Sequence, residues 1–174
     1  MPPARRFDTA APPGDTSSMT NSLTRRMEYN NWANATLYRD LKGKGAPEPA
    51  MRAFQHVLET ELTWSTRILG EGNPALKLWE PVPAAQRDEW ARTAREQMRR
   101  VAATEAVTGF SRRFRYATFS GQEFEDSVAE VLEHTLIHSA QYRGEAAGLS
   151  NAAGVQMPDL DYIFWQRAGM PAAE

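Results

Sequence analysis

Residues 133–145 have the sequence EHTLIHSAQYRGE and lie in the second half of a long helical pattern. Three side chains that can bind a metal or a proton, His134, His138 and Tyr142, recur there every four residues. On an α-helix this spacing places all three in one stripe along one side. The only other histidine of the chain is His56. A metal site built from imidazoles can therefore draw on three histidines at most.

The composition is that of an ordinary soluble protein. The chain has 174 residues, 41% of them hydrophobic and 24% charged, which is enough for one domain with a sizeable core. Twenty basic and 22 acidic side chains leave a formal net charge of −2, and neither sign forms a long block. We therefore see no electrostatic footprint for nucleic acid or an anionic membrane surface, and nucleic-acid binding is a minor hypothesis.

The absence of cysteine restricts the available chemistry. It excludes disulfides, thiolate zinc sites and a cysteine nucleophile, so His and oxygen groups are the remaining metal ligands. No apolar run reaches the roughly 18 residues that span a bilayer. Pro12-Pro13-Gly14 stands where a signal peptide would need its apolar segment. We expect a cytoplasmic protein that does not enter the membrane.

Helical periodicity predicts an all-α fold with one small β-hairpin. Residues 1–20, rich in Pro, Ser and Thr, are expected to form a disordered tail, and Met19 is a possible alternative start. Residues 21–170 would form one domain. Its predicted elements are long helices at residues 23–41, 50–69, 85–107 and 126–150, a hairpin at 110–125 and a short closing helix at 159–167. A hairpin-containing crossover of this length suits a four-helix bundle whose last two helices run in the same direction.

Two asparagines lie on the inner face of the first predicted helix. Asn30 and Asn34 share the three- and four-residue spacing of Met27, Leu37 and Leu41. Buried amides need hydrogen-bond partners, so these residues either bridge neighbouring helices or line a polar pocket. The sequence alone favours the bridging role.

Helix geometry limits which residues can share a metal. Two imidazoles four residues apart can bind one ion, because their ring nitrogens converge about 2.0–2.1 Å from it. His134 and Tyr142 lie about 12 Å apart along the helix axis and cannot bind the same ion. The two allowed pairs on this helix are therefore His134 with His138 and His138 with Tyr142. A third ligand has to come from another element, where His56 is the only imidazole. The alternative is that these are hydrogen-bonded core or surface histidines.

Periodicity also gives the expected orientation of these side chains. The inner seam of the last long helix is predicted at Val128, Val131, Thr135, His138, Tyr142 and Leu149, with His134 beside it. On the second helix, His56 falls well away from the side of Phe54 and Leu58. Periodicity alone would not bury His56. The segment 73–84 contains three prolines among apolar residues and is a candidate lid over the helices.

These residues resemble the DinB/YfiT-like family of four-helix-bundle metalloenzymes, and the likeness extends from about residue 23 to residue 165. The matching pieces follow one another in the family's order: YNNWAN at 29–34, His56 followed by Trp64, HSAQYRGE at 138–145 and PDLDY at 158–162. The third piece is similar to the family's His-x-x-x-His-Arg-Gly-Gln. The resemblance implies that His56 and His138 are metal ligands and that His56 faces the last long helix.

One position departs from the family pattern. The family's third ligand would stand at Tyr142, and a phenol with a pKa near 10 loses its proton reluctantly at neutral pH. Tyr142 could ligate as phenolate, His134 could pair with His138 instead, or the site could have become an empty polar pocket. Glu145, where the family commonly has Gln, could supply an oxygen ligand or a hydrogen bond to a ligand.

The resemblance also implies a function. Characterised relatives bind zinc or nickel with open coordination positions and use a low-molecular-weight thiol such as mycothiol, bacillithiol or glutathione. We therefore expect a thiol S-transferase-like enzyme of stress response or detoxification, acting on a thiol and an electrophile. Arg143 and Asn34 would contact the cosubstrate, although Arg143 could equally form a salt bridge to a neighbouring helix. The alternative is a non-enzymatic dimeric bundle that acts as a DNA-damage-response or binding module, with a weak or empty metal site. A homodimer is expected.

Overall fold

Long helices dominate the computed structural model, which describes residues 16–173 and their side chains from residue 22 onward. These residues form five α-helices and a two-stranded antiparallel sheet, which confirms the all-α fold class. The helices are α1 (Thr16–Gly43), α2 (Glu48–Ile68), α3 (Ala84–Glu105), α4 (Val128–Ala152) and α5 (Tyr162–Arg167), and the strands are β1 (Arg113–Ala117) and β2 (Glu123–Ser127). No helix within residues 16–173 is both long enough and apolar enough to cross a membrane.

The element boundaries differ from the predicted ones mainly at the N-termini of helices. Of the predicted tail, residues 1–15 lie outside the described residues, and α1 begins at Thr16. The hairpin pairs β1 with β2 in antiparallel register, with Arg113 opposite Ser127. Because β2 continues to Ser127, α4 begins at Val128 rather than at residue 126.

Two clusters of buried apolar side chains hold the long helices together. Each cluster takes residues from all four long helices. The first cluster includes Leu37, Leu41, Phe54, Leu58, Ala94 and Ala146. The second includes Leu23, Met27, Ile68, Met98, Val101, Val128 and Leu132. Burial of this apolar surface is the main force that packs the helices.

The order in which each helix passes these clusters gives its direction. Helices α1 and α4 run from the second cluster to the first, whereas α2 and α3 run from the first to the second. The expectation that the last two long helices run in the same direction is therefore wrong. The parallel pair is α2 and α3, so residues 69–83 must return about 30 Å along α2. We call residues 69–83 the crossover segment; the hairpin joins antiparallel helices.

The buried seam of α4 also differs from the predicted one. Leu149 is 36% exposed, whereas the fully buried small residues are Thr135, Ser139, Ala146 and Ser150. A helix of 3.6 residues per turn drifts by about 20° per heptad from a strict seven-residue repeat. By the middle of α4 the seam has therefore moved on by one residue. Consequently His138 and Tyr142 lie half-buried at the margin of the core rather than facing it.

The start of α4 is stabilised by a capping box. The Oγ atom of Ser127 accepts a hydrogen bond from the N–H of Glu130 at 3.2 Å, and the N–H of Ser127 donates to Oε2 of Glu130 at 3.2 Å. Two N–H groups near the helix start are thereby paired. This arrangement fixes where the chain leaves the hairpin.

We expect Ser127→Ala to lower the free energy of unfolding by about 1 kcal/mol, because the N–H of Glu130 loses its acceptor. Urea denaturation followed by circular dichroism measures this change. The matched control is Glu123→Gln, an exposed position on β2, which should change stability by less than about 0.5 kcal/mol. Equal losses in both variants would contradict the capping role.

Candidate metal site

Helices α2 and α4 bring His56, His138 and Tyr142 together. The ring centre of His56 lies 5.0 Å from that of His138 and 4.7 Å from that of Tyr142, and the centres of His138 and Tyr142 are 4.6 Å apart. Two imidazoles bound to one ion at ordinary zinc distances and angles would have ring centres about 4.5–5.2 Å apart. The two histidines therefore have the separation that a shared ion requires.

His56 is held in one orientation by Glu59, which lies one turn further along α2. Its Nδ1 atom lies 2.9 Å from Oε2 of Glu59, and both residues are buried. The same oxygen accepts the backbone N–H of Trp79 at 3.1 Å. Because a carboxylate oxygen accepts hydrogen bonds, this contact favours the tautomer of His56 with the proton on Nδ1. This carboxylate contact leaves Nε2 of His56 free to bind a metal, as in many metal sites.

The crossover segment passes directly over His56. The indole ring of Trp79 stacks on the imidazole with centres 3.8 Å apart and planes inclined by 20°. Trp79 has a φ of +64°, a left-handed conformation that costs a non-glycine residue about 1–2 kcal/mol. The bond from its N–H to Glu59 and a bond from Arg52 to its carbonyl oxygen at 2.9 Å hold it there. The predicted lid thus covers one face of the site.

His138 is kept uncharged by its surroundings. Burial, with smaller contributions from His56 and His134, lowers the pKa of His138 to about 4. A neutral imidazole is the form that binds metals. The Nδ1 atom of His138 is buried and has no hydrogen-bond partner among the described residues. Buried polar atoms are nearly always paired, so this atom is suited to an ion or a bound water.

His134 occupies the outer end of the same stripe. It is exposed, and its ring centre lies 5.7 Å from that of His138 and 5.7 Å from that of Trp64. Glu145, the other candidate oxygen ligand on α4, is also exposed. His134 and Glu145 therefore lie outside the group formed by His56, His138 and Tyr142.

His56 and His138 are suitable ligands for a metal, and the third coordination position has no assigned ligand. Within residues 22–173 no group of three or more His, Asp or Glu side chains is arranged to hold an ion. Two convergent imidazoles, one of them oriented by a carboxylate, are nevertheless suitable donors for zinc or nickel. The remaining positions would fall to Tyr142, to water or to a substrate.

A buried polar network lies beside this site and joins α1, α2 and α4. Oε1 of Glu61 accepts hydrogen bonds from Asn30 at 2.6 Å, Asn34 at 2.7 Å and Ser139 at 3.0 Å. The amide oxygens of both asparagines in turn accept bonds from Nη1 of Arg143. Burial raises the pKa of Glu61 and lowers that of Arg143. The two asparagines thus bridge helices, as the sequence favoured.

The network determines what Arg143 can contact. Its side chain is 4% exposed, and its hydrogen bonds run to amides of α1 rather than to a carboxylate. The salt bridge to a neighbouring helix is therefore not formed. Contact of Arg143 or Asn34 with a cosubstrate stays a prediction.

Two residues of the site were missed at the level of sequence. Glu59 is three residues after His56, a spacing that places both on one face of a helix, so its contact with His56 was foreseeable. Trp79 lies in a segment whose path depends on the parallel arrangement of α2 and α3. Nothing in its local sequence indicates which side chain it covers.

Comparison with known proteins adds no family assignment: no family model matches the chain, and no curated protein or solved structure matches it either.

Proposed function

We propose that this chain is a DinB-like four-helix bundle that binds zinc or nickel through His56 and His138 and acts as a thiol S-transferase-like enzyme in stress response or detoxification. The observation that supports the metal site best is the 5.0 Å separation of the two imidazole centres, with the Nδ1 atom of His56 bonded to Glu59. The reaction class rests on the resemblance in sequence.

Each side chain of the site would have a separate role. A bound metal would supply a positive charge that lowers the pKa of a thiol and so favours the reactive thiolate. Glu59 would hold the proton of His56 on Nδ1 and so leave Nε2 available as a metal ligand. His138 remains neutral at physiological pH because its pKa is depressed. The indole of Trp79 excludes water from one face of His56.

The enzymatic proposal is tested with protein purified without a nickel column. Zinc-loaded protein is assayed with glutathione, bacillithiol and mycothiol against 1-chloro-2,4-dinitrobenzene, and the absorbance of the thioether product is followed. We expect a metal-dependent rate with at least one thiol, and its loss after chelation. A rate no higher than that of buffer with all three thiols would reject the enzymatic part. Stoichiometric zinc binding would then remain as a separate result.

Tyr142 supplies a gain-of-function prediction. We expect Tyr142→His to raise the affinity for zinc by about tenfold or more, because it adds a third imidazole to the two already convergent. Tyr142→Phe should leave affinity within about threefold if the phenol does not ligate. Competition with a chromophoric chelator measures both variants. A lower affinity in Tyr142→His would contradict the placement of the ion between these rings.

A second candidate function is a non-enzymatic homodimeric binding module. It is supported by the stacking of Trp79 on His56, which occupies one face of the site, and by exposed apolar residues on α4 and α5. Ile137 is 67% exposed, Ile163 43% and Phe164 46%. Sedimentation at several protein concentrations tests the dimer, and a mobility shift at low salt tests DNA binding. A protein that stays monomeric at every concentration and does not shift DNA would reject this candidate.

A further inference from the structure

A separate cavity lies on the side of α2 that faces away from His56. It has a volume of about 570 Å³ and is bounded by α1, α2 and α3. Phe54, Leu58 and Ala91 supply apolar wall, and none of the residues of the candidate metal site lines it. Cavities that bind small molecules commonly enclose about 300–1,000 Å³ and combine apolar walls with a few polar groups. This cavity meets both conditions.

The rim of the cavity is positively charged. Arg39 and Lys42 of α1 and Arg92 and Arg95 of α3 lie around it, with Asp88 as the acidic rim residue among those described. Lys42 forms an ion pair with Asp88 and holds the pKa of that carboxyl below its usual range, and Arg39 forms an ion pair with Asp40, so among the described residues Arg92 is a rim cation without an ion pair. The rim is therefore suited to an anionic group. A guanidinium binds a carboxylate with two parallel hydrogen bonds.

The inner wall of the cavity carries hydrogen-bond acceptors, in contrast to the basic rim. Glu61 is 1% exposed, and the hydrogen bonds it receives from described residues all reach Oε1. Asn31 is 6% exposed, and its buried Oδ1 atom has no partner within the described residues. Both residues line the cavity. A carboxylate beside an amide oxygen without a donor is suited to an ammonium group, which carries three donors and no acceptor.

We propose that this cavity binds a small zwitterion whose ammonium group is separated from its carboxylate by an apolar spacer. The ammonium group would reach Glu61 and Asn31, the spacer would lie against Phe54 and Leu58, and the carboxylate would meet Arg92 at the rim. A compact cavity of this volume is about 10 Å across. The charges of an α-amino acid are too close together for that span, whereas a spacer of about five methylene groups reaches it.

The ligand series that tests the proposal varies the spacer and removes one charge at a time. Isothermal titration calorimetry would compare 4-aminobutanoate, 6-aminohexanoate and 8-aminooctanoate with hexanoate and hexylamine. We expect 6-aminohexanoate to bind at one site per chain and at least about tenfold more tightly than either singly charged analogue. Absence of saturable binding by every zwitterion up to about 10 mM would overturn the proposal, as would an affinity for hexanoate or hexylamine equal to that for 6-aminohexanoate.

Variants assign the two ends of the ligand. Arg92→Gln should weaken 6-aminohexanoate and hexanoate but leave hexylamine unchanged, and Glu61→Gln should weaken 6-aminohexanoate and hexylamine but leave hexanoate unchanged. Because Glu61 also belongs to the buried network, Ala91→Leu serves as a second probe that fills the cavity and should weaken all three compounds. The matched control is Arg100→Gln, an exposed position of α3 outside the cavity. Affinity that is unchanged in Arg92→Gln and Ala91→Leu would place the ligand elsewhere and reject the proposal.

Discussion

Replacement of His138 by alanine is expected to lower the affinity for zinc by about 100-fold or more. His138 and His56 are the two imidazoles whose centres converge, and a single remaining imidazole binds zinc weakly at neutral pH. His56→Ala should have an effect of similar size. Competition with a chromophoric chelator at pH 7.5 measures both affinities.

The matched control for this experiment is His134→Ala. His134 is exposed and lies on the same stripe of α4, so its removal should change the affinity by less than about threefold if His138 pairs with His56. A larger loss in His134→Ala than in His56→Ala would show that His134 and His138 hold the ion. Equal small losses in all three variants would indicate adventitious surface binding.

The largest stability effect is expected at Arg143. We expect Arg143→Met to lower the free energy of unfolding by about 3–5 kcal/mol, because it leaves the Glu61 carboxylate buried without a positive charge linked to it through the asparagines. Urea denaturation measures the loss. The control is Arg115→Met on β1, where the side chain is 86% exposed and the change should stay below about 0.5 kcal/mol.

A double variant isolates the coupling in this network. In Glu61→Gln combined with Arg143→Met, neither buried charge remains, so the loss should be smaller than the sum of the two single losses by about 1–3 kcal/mol. Strict additivity would contradict the electrostatic link. The result would also separate lost packing from lost charge, since methionine conserves much of the arginine volume.

The same network gives a dependence on pH. Burial raises the pKa of Glu61 in the folded state above its unfolded value, so folding favours the protonated carboxyl. Its contribution to stability is therefore most favourable at low pH and is lost as pH rises through the folded-state pKa. Removal of Arg143 leaves the ionised form without its counter-charge. The destabilisation in Arg143→Met should accordingly be smaller at pH 5 than at pH 8.

The sequence predicts those parts of the fold that depend on local periodicity. The long helices and the hairpin are such parts, because apolar spacing over ten or more residues is read directly from the chain. Two expectations failed where local patterns do not suffice. The buried seam of α4 passes through Ser139 and Arg143 instead of His138 and Tyr142, because a helix of 3.6 residues per turn drifts from a seven-residue repeat. The direction of α3 depends on the long crossover segment.

The candidate site shows the same limit. His138 and Tyr142 follow from spacing on one helix, whereas the approach of His56 was implied by the resemblance and not by its helical angle. Glu61 lies three residues after Leu58, a spacing that places both on one side of α2, but its three donors come from two other helices. A buried carboxylate is identified by periodicity, and its partners are identified only by tertiary structure.

The indole stacked on His56 also provides the molecule with an optical signal. Tryptophan emission is quenched by a nearby imidazolium and by paramagnetic ions, and Trp79 lies 3.8 Å from the imidazole centre. Nickel bound at His56 would quench the fluorescence of Trp79. Zinc has a filled d shell and would change the emission only through its charge or by displacing the indole ring. The chain therefore contains its own spectroscopic reporter of which ion has entered the site.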